Sequence, residues 1–207
     1  MKFRASILVV VTLLCSSLFA ADDSYVLGRV RNGTYTNQQL GMRAYFSENW
    51  RILSREEIAQ LNGVDPSAPQ TMQSFKDGTL PFFYAMSEDG LAHVLISLAN
   101  LGVMGNAVSP RESEKALDEA VKQFSDSFVD SFREMRLVGA KIKRSKQSIA
   151  GKKYPGFNAS AKMKGVDVYM KGALCHRDEY LYGIVAMSFS HDITDKLLGM
   201  FRKTGIR

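Results

Sequence analysis

Residues 140–189, AKIKRSKQSIAGKKYPGFNASAKMKGVDVYMKGALCHRDEYLYGIVAMSF, decide the fold. Three turn signals, Gly151-Lys152-Lys153, Lys164-Gly165 and Arg177-Asp178-Glu179, cut the stretch into four strands. Between Lys152 and Lys164 the residues alternate. Tyr154, Asn158, Ser160 and Lys162 fall on one face; Pro155, Phe157, Ala159, Ala161 and Met163 fall on the other. The last run, Tyr180 to Phe189, is nearly all apolar, as suits a central strand covered on both faces. Four strands joined by tight turns make an antiparallel meander.

Upstream, Phe82 to Ser87 and Leu91 to Leu101 are apolar runs joined through Glu88-Asp89-Gly90, a hairpin whose two strands belong in mid-sheet. Ser109-Pro110-Arg111-Glu112 opens a predicted amphipathic helix from Pro110 to about Arg136. Tyr25 to Phe46 reads as short strands broken at Asn32-Gly33 and Asn37-Gln38-Gln39, with Met42, Ala44 and Phe46 alternating inward. Ser54-Arg55-Glu56-Glu57 is a capping box for a short helix, about Arg55 to Leu61, and a turn-rich loop follows from Val64 to Pro81. Downstream, Ser190 or Asp192 caps a closing helix that carries Ile193, Leu197, Leu198 and Phe201 and ends near Gly205. The predicted order is β-β-α-β-β-α-β-β-β-β-α. It describes one α+β domain over residues 21–207, an antiparallel sheet flanked by helices in an α-β-α sandwich.

Residues 1–20 read as a secretory signal. Lys2 and Arg4 form a positive start, Ser6 to Leu14 an apolar run too short to span a bilayer, and Ala20-Ala21 a small-residue cleavage site before Asp22-Asp23. Leu14 in front of Cys15 departs from the small residue that lipid anchoring at that cysteine requires. Cleavage after Ala20 would lower the formal charge from +6 to +4 and leave Cys175 as the one cysteine. That excludes an intrachain disulfide; Cys175 reads as a buried small hydrophobe, the competing readings being a reactive thiol or an intermolecular bridge. The expected location is the periplasm or the medium. The 207 residues are 45% hydrophobic and 23% charged, which excludes a disordered tail, a disulfide miniprotein and a multi-span membrane protein.

Tyr35-Thr36-Asn37, Leu40-Gly41-Met42, Trp50 and the capped Ser54-Arg55-Glu56-Glu57-Ile58 resemble the opening of PsbP-like domains. Ala150-Gly151-Lys152-Lys153-Tyr154, opening a strand ahead of a meander and a final helix, resembles their second half. Phe46-Ser47-Glu48-Asn49-Trp50 lacks the proline that often precedes this tryptophan. The superfamily includes an extrinsic photosystem II protein, a Ran-binding nuclear import factor and DcrB-like bacterial envelope proteins. The resemblance spans about Tyr25 to Arg207. It implies a helix-flanked antiparallel sheet and a non-catalytic binding or assembly role, and it transfers no functional residue.

No catalytic or metal-binding motif occurs, and no cofactor is expected. His93, His176 and His191 stand outside any ligand spacing, and there is no phosphate loop, nucleophile elbow or dinucleotide fingerprint. Cys175 and His176 are strand neighbours and so point to opposite faces, which spoils a thiolate dyad. The charge distribution says more. Ten basic residues lie between Lys141 and Arg177 with Asp167 as the only acid. Lys141, Lys143, Lys162, Lys164 and Lys171 are the candidate contacts for an anionic protein, lipid headgroup or glycan. The competing reading is a solvated, lysine-protected sheet edge. Nucleic acid is disfavoured, since no basic-aromatic stacking pattern appears. A second candidate is an apolar pocket lined by Tyr35, Trp50 and Tyr84, which would suit a small-molecule or lipid carrier.

Overall fold

The computed structural model describes residues 23–65, 67, 79–100, 138–178 and 180–205. The expected signal segment, Cys15, most of the turn-rich loop and the amphipathic helix from Pro110 to Arg136 lie outside the described residues.

Four short strands, β1 (Arg29–Arg31), β2 (Thr34–Asn37), β3 (Met42–Tyr45) and β11 (Phe201–Lys203), form an antiparallel sheet in the order β1-β2-β3-β11. Asn32 and Gly33 both have positive φ, which gives the two-residue β1–β2 hairpin the twist its strands require. A side chain at position 33 would strike the Phe46 carbonyl oxygen at 2.5 Å, so glycine is needed there on two counts.

The second sheet has seven strands. They are β4 (Trp50–Ile52), β5 (Thr79–Ser87), β6 (Ala92–Asn100), β7 (Val138–Ile149), β8 (Lys152–Met163), β9 (Val166–Arg177) and β10 (Tyr180–Phe189). Their order is β4-β5-β6-β10-β9-β8-β7, antiparallel throughout. Ala150-Gly151 and Lys164-Gly165, all at positive φ, close the first two meander turns. β10 lies between β6 and β9, the central place its apolar sequence predicts, and the β5–β6 hairpin sits inside the sheet.

The two sheets stack face to face. Tyr35, Met42, Ala44, Phe46 and Phe201 of the small sheet and its flank meet Ala85, Val94, Ile96, Ala173, Cys175, Tyr182 and Ile184 of the large one in a single buried cluster. Phe157, Ala159, Val168, Met170 and Val185 form a second cluster on the opposite face. Both faces of the large sheet's centre are therefore apolar, as its sequence requires.

The helix-flanked α-β-α sandwich expected from the sequence is overturned. Among the described residues the helices are α1 (Asp23–Val26), α2 (Arg55–Leu61) and α3 (Thr194–Leu198), of four, seven and five residues. What covers the large sheet on its first face is a second sheet. The N-terminal strands pair with one another and then with β11 instead of extending the meander. The closing helix accordingly stops at Leu198, and Phe201 is a strand residue. The capping box of α2 is present: Glu57 N donates to Ser54 Oγ (3.2 Å) and Ser54 N to Glu57 Oε2 (2.8 Å).

Candidate functional site

The lysines are brought together by pairing register. Lys143 pairs with Asn158 and Asn158 with Lys171, so the two lysines stand in one row, two strands or about 10 Å apart. The next row runs Lys141, Ser160, Tyr169, Ser188, and Lys162 pairs with Asp167 in the row beyond. Alternation puts all of them on the face that also carries Ala173 and Cys175, on which the small sheet is stacked. Lys164 stands at the rim, in the β8–β9 turn.

Two of the four face lysines are paired. Lys162 Nζ lies 2.6 Å from Asp167 Oδ1, and this hydrogen bond holds its pKa above the usual lysine value. Lys171 Nζ lies 2.6 Å from Asp195 Oδ2 of α3, with only 16% of the Lys171 side chain exposed. Lys141, Lys143 and Lys164 are exposed and make no ion pair among the described residues. Beside them the Gln147 amide donates to Ser145 Oγ (2.6 Å), Asn158 Oδ1 (2.6 Å) and the Phe157 carbonyl (3.1 Å), fixing β7 to β8.

β7 is the edge of the sheet, and its register slips between Val138 and Lys141, where Gly139 has φ +67°. Arg144 pairs with Phe157 and Lys146 with Pro155, on the other face. Cations thus line both faces of this edge, an arrangement that discourages pairing with another chain.

Of the three candidate pocket residues, Tyr35 and Trp50 join one packed aromatic cluster through Phe83 and Phe46, and Tyr84 is not brought to it. Tyr35 is buried against Phe83, with ring centroids 4.5 Å apart. Trp50 packs edge-on against Phe46 at 5.4 Å. Tyr84 points to the opposite face of the sheet, where its hydroxyl meets His93 Nδ1 at 2.8 Å while His93 Nε2 bonds the Gly90 carbonyl at 2.9 Å. Burial lowers the His93 pKa, which favours the neutral ring. An open cleft of about 460 Å³ does lie beside Tyr35; Phe82 and Phe83 line it, with Arg29 and Arg55.

Cys175 is buried and its thiol is pushed up to about 12 by desolvation, so it carries almost no thiolate at neutral pH. No group of three or more His, Cys, Asp or Glu able to hold a metal forms among the described residues. No helix among them is long and apolar enough to cross a membrane.

Sequence reading missed a second basic surface. Arg29 pairs with Thr36, Thr36 with Arg43 and Arg43 with Arg202, a single row across the small sheet. Arg31, Thr34 and Tyr45 form the adjacent row. Their inward neighbours Tyr35, Ala44 and Phe201 are buried, so these rows face solvent. The alternation in MRAY was the available signal. The pairing of Arg43 with Arg202 was not available locally.

No family model matches the chain, and no curated protein does. Among solved structures, LpqN of Mycobacterium tuberculosis, described as involved in cell envelope biogenesis, is similar over 76% of this chain and 75% of its own. The identity is 12% and the TM-score 0.32.

Proposed function

We propose that the protein is a non-catalytic binding protein of a bacterial envelope, exported by its N-terminal segment, and that its lysine face takes an anionic partner. The observation that carries this reading is the placing of Lys141, Lys143, Lys162 and Lys171 on one sheet face, with Asp167 and Asp195 the carboxylates bound there among the described residues. That face is recessed. The small sheet is stacked on the same side of the large one, so the lysines lie about one inter-sheet spacing, ~10 Å, below its outer surface. A step of this depth suits an acidic polymer chain, protein or glycan, better than a flat surface.

The test is release of the purified protein from isolated envelopes at graded salt. The double variant Lys141→Glu/Lys143→Glu is expected to elute at markedly lower salt than the wild type, because both side chains are exposed and make no ion pair among the described residues. An unchanged elution profile would leave these residues as nothing more than edge protection. A co-purifying apolar ligand displaced by bulk at Phe82 would instead favour the carrier reading, for which the cleft beside Tyr35 offers room.

A further inference from the structure

The outer face of the small sheet is built against its own electrostatics. β1, β2, β3 and β11 read RVR, TYTN, MRAY and FRK and contain no acidic residue. Arg43 and Arg202 sit directly opposite one another, a like-charge cross-strand pair that opposes sheet formation. They are held there by what lies beneath: Phe201 pairs with Ala44 and Lys203 with Met42, and Phe201, Ala44 and Met42 are buried. Arg29 stands two strands away, about 10 Å, and Arg31 two residues along the same strand, about 7 Å. All four arginines are exposed, and none has an ion pair among the described residues. Arg202 is oriented by a hydrogen bond to the Gly199 carbonyl.

Four guanidinium forks with Thr34 and Thr36 hydroxyls between them form a donor array suited to phosphate oxygens. The array is a sheet face, not a groove, and stands about 10 Å proud of the lysine face. Tyr45, 64% exposed, lies in the row of Arg31 and Thr34. A tyrosine ring beside cations is the composition found where proteins meet the headgroup layer of a bilayer.

We propose that this arginine face docks on the phosphate headgroups of an anionic lipid bilayer, with Tyr45 at headgroup level. A phosphate between Arg43 and Arg202 offsets the repulsion that the register imposes. The surface is distinct from the lysine face, so the two proposals stand or fall separately.

The test is co-sedimentation of the protein, purified from an exporting host, with phosphatidylglycerol-containing vesicles and with pure phosphatidylcholine vesicles. Arg43→Glu and Lys143→Glu change the net charge equally. Arg43→Glu is expected to weaken binding to the anionic vesicles about tenfold or more, and Lys143→Glu to change it little. Arg43→Glu also removes the like-charge pair, so its melting temperature should not fall, which separates lost docking from lost folding. Arg31→Gln, at the hairpin end, is the second variant and should weaken binding in the same direction. Tyr45→Ser alters no charge and should still weaken it severalfold. Equal losses for Arg43→Glu and Lys143→Glu would reduce the effect to net charge and overturn the proposal. So would equal binding to phosphatidylcholine vesicles, no binding to either, or complete displacement by a soluble sulfated polysaccharide.

Discussion

Asn37 is fully buried and uses most of its hydrogen-bonding capacity. Its Nδ2 donates to the Val26 carbonyl (2.7 Å) and to Tyr35 Oη (3.1 Å), and its Oδ1 accepts from Leu40 N (2.8 Å). Tyr35 Oη donates in turn to the Leu27 carbonyl (3.2 Å), and Tyr182 of β10 reaches the Val26 carbonyl at 2.9 Å. One amide thus joins the segment ahead of β1, the small sheet and the large sheet. Truncation by Asn37→Ala strands the buried Leu40 N–H and takes one of two partners from the Val26 carbonyl and from Tyr35 Oη, and should cost about 2–3 kcal/mol, read as a fall in the denaturation midpoint at unchanged slope. In the sequence Asn37 is visible as a turn former beside Gln38 and Gln39 and as the end of Tyr35-Thr36-Asn37, and neither signals a buried amide. Its partners at Val26 and Tyr35 are near in sequence, but the burial that gives them weight comes from Tyr182, far along the chain.

At the scale of elements, the contact between β8 and β9 is set by glycine. Phe157 pairs with Gly172, and a methyl group on Gly172 would come within 2.2 Å of the Phe157 ring, which is wholly buried. Gly172→Ala is expected to destabilise by about 1–3 kcal/mol through overpacking. Phe157→Leu in the same chain should recover part of that loss, a coupling that a double-mutant cycle in urea measures directly. The strands themselves were legible wherever a local turn defined them. The β5–β6 hairpin was announced by Glu88-Asp89-Gly90, and the meander by Lys164-Gly165 and its counterparts. β11 was not legible, because Phe201 continues the apolar spacing of Leu197 and Leu198 and so reads as helix. Its strand identity depends on Ala44, with which no local rule connects it. The helix-flanked architecture, expected from three predicted helices and from the family resemblance, is overturned because strands at 29–45 close on β11 and cover one face of the large sheet with a second sheet.

For the whole molecule, the weak point is alkaline pH. Tyr35, Tyr182 and Cys175 share the core between the sheets, and burial raises the pKa of each, the thiol from 9.0 to about 12. In the unfolded chain these groups ionise near their ordinary values, so the folded form binds more protons as pH rises above about 9. Their contribution is complete below that point and is lost progressively above it. Thermal midpoints should be flat in this respect from neutrality to about pH 9 and fall beyond, while a thiol reagent should leave Cys175 unmodified until the chain unfolds. A folded chain whose Cys175 reacts freely at pH 8 would contradict the packing described. The basic surfaces also belong to this scale. A local excess of lysine was countable from residues 141–177, but whether it converged depended on the register of β7, β8 and β9. The arginine face drew its members from Arg29, Arg31, Arg43 and Arg202, too dispersed for any window to collect.

The pairing of β3 with β11 has a consequence in time. A chain made from its N-terminus delivers β1, β2 and β3 early and β11 last of the described strands. Until then Met42 and Ala44 present an unpaired edge, and the apolar side of the small sheet lacks Phe201. Completion is therefore signalled by a single closing event. A chain that stops short of residue 201 remains open and recognisable to chaperones and proteases, whereas a finished one conceals the seam and, with Arg202 in place beside Arg43, acquires its outer row of charge in the same step.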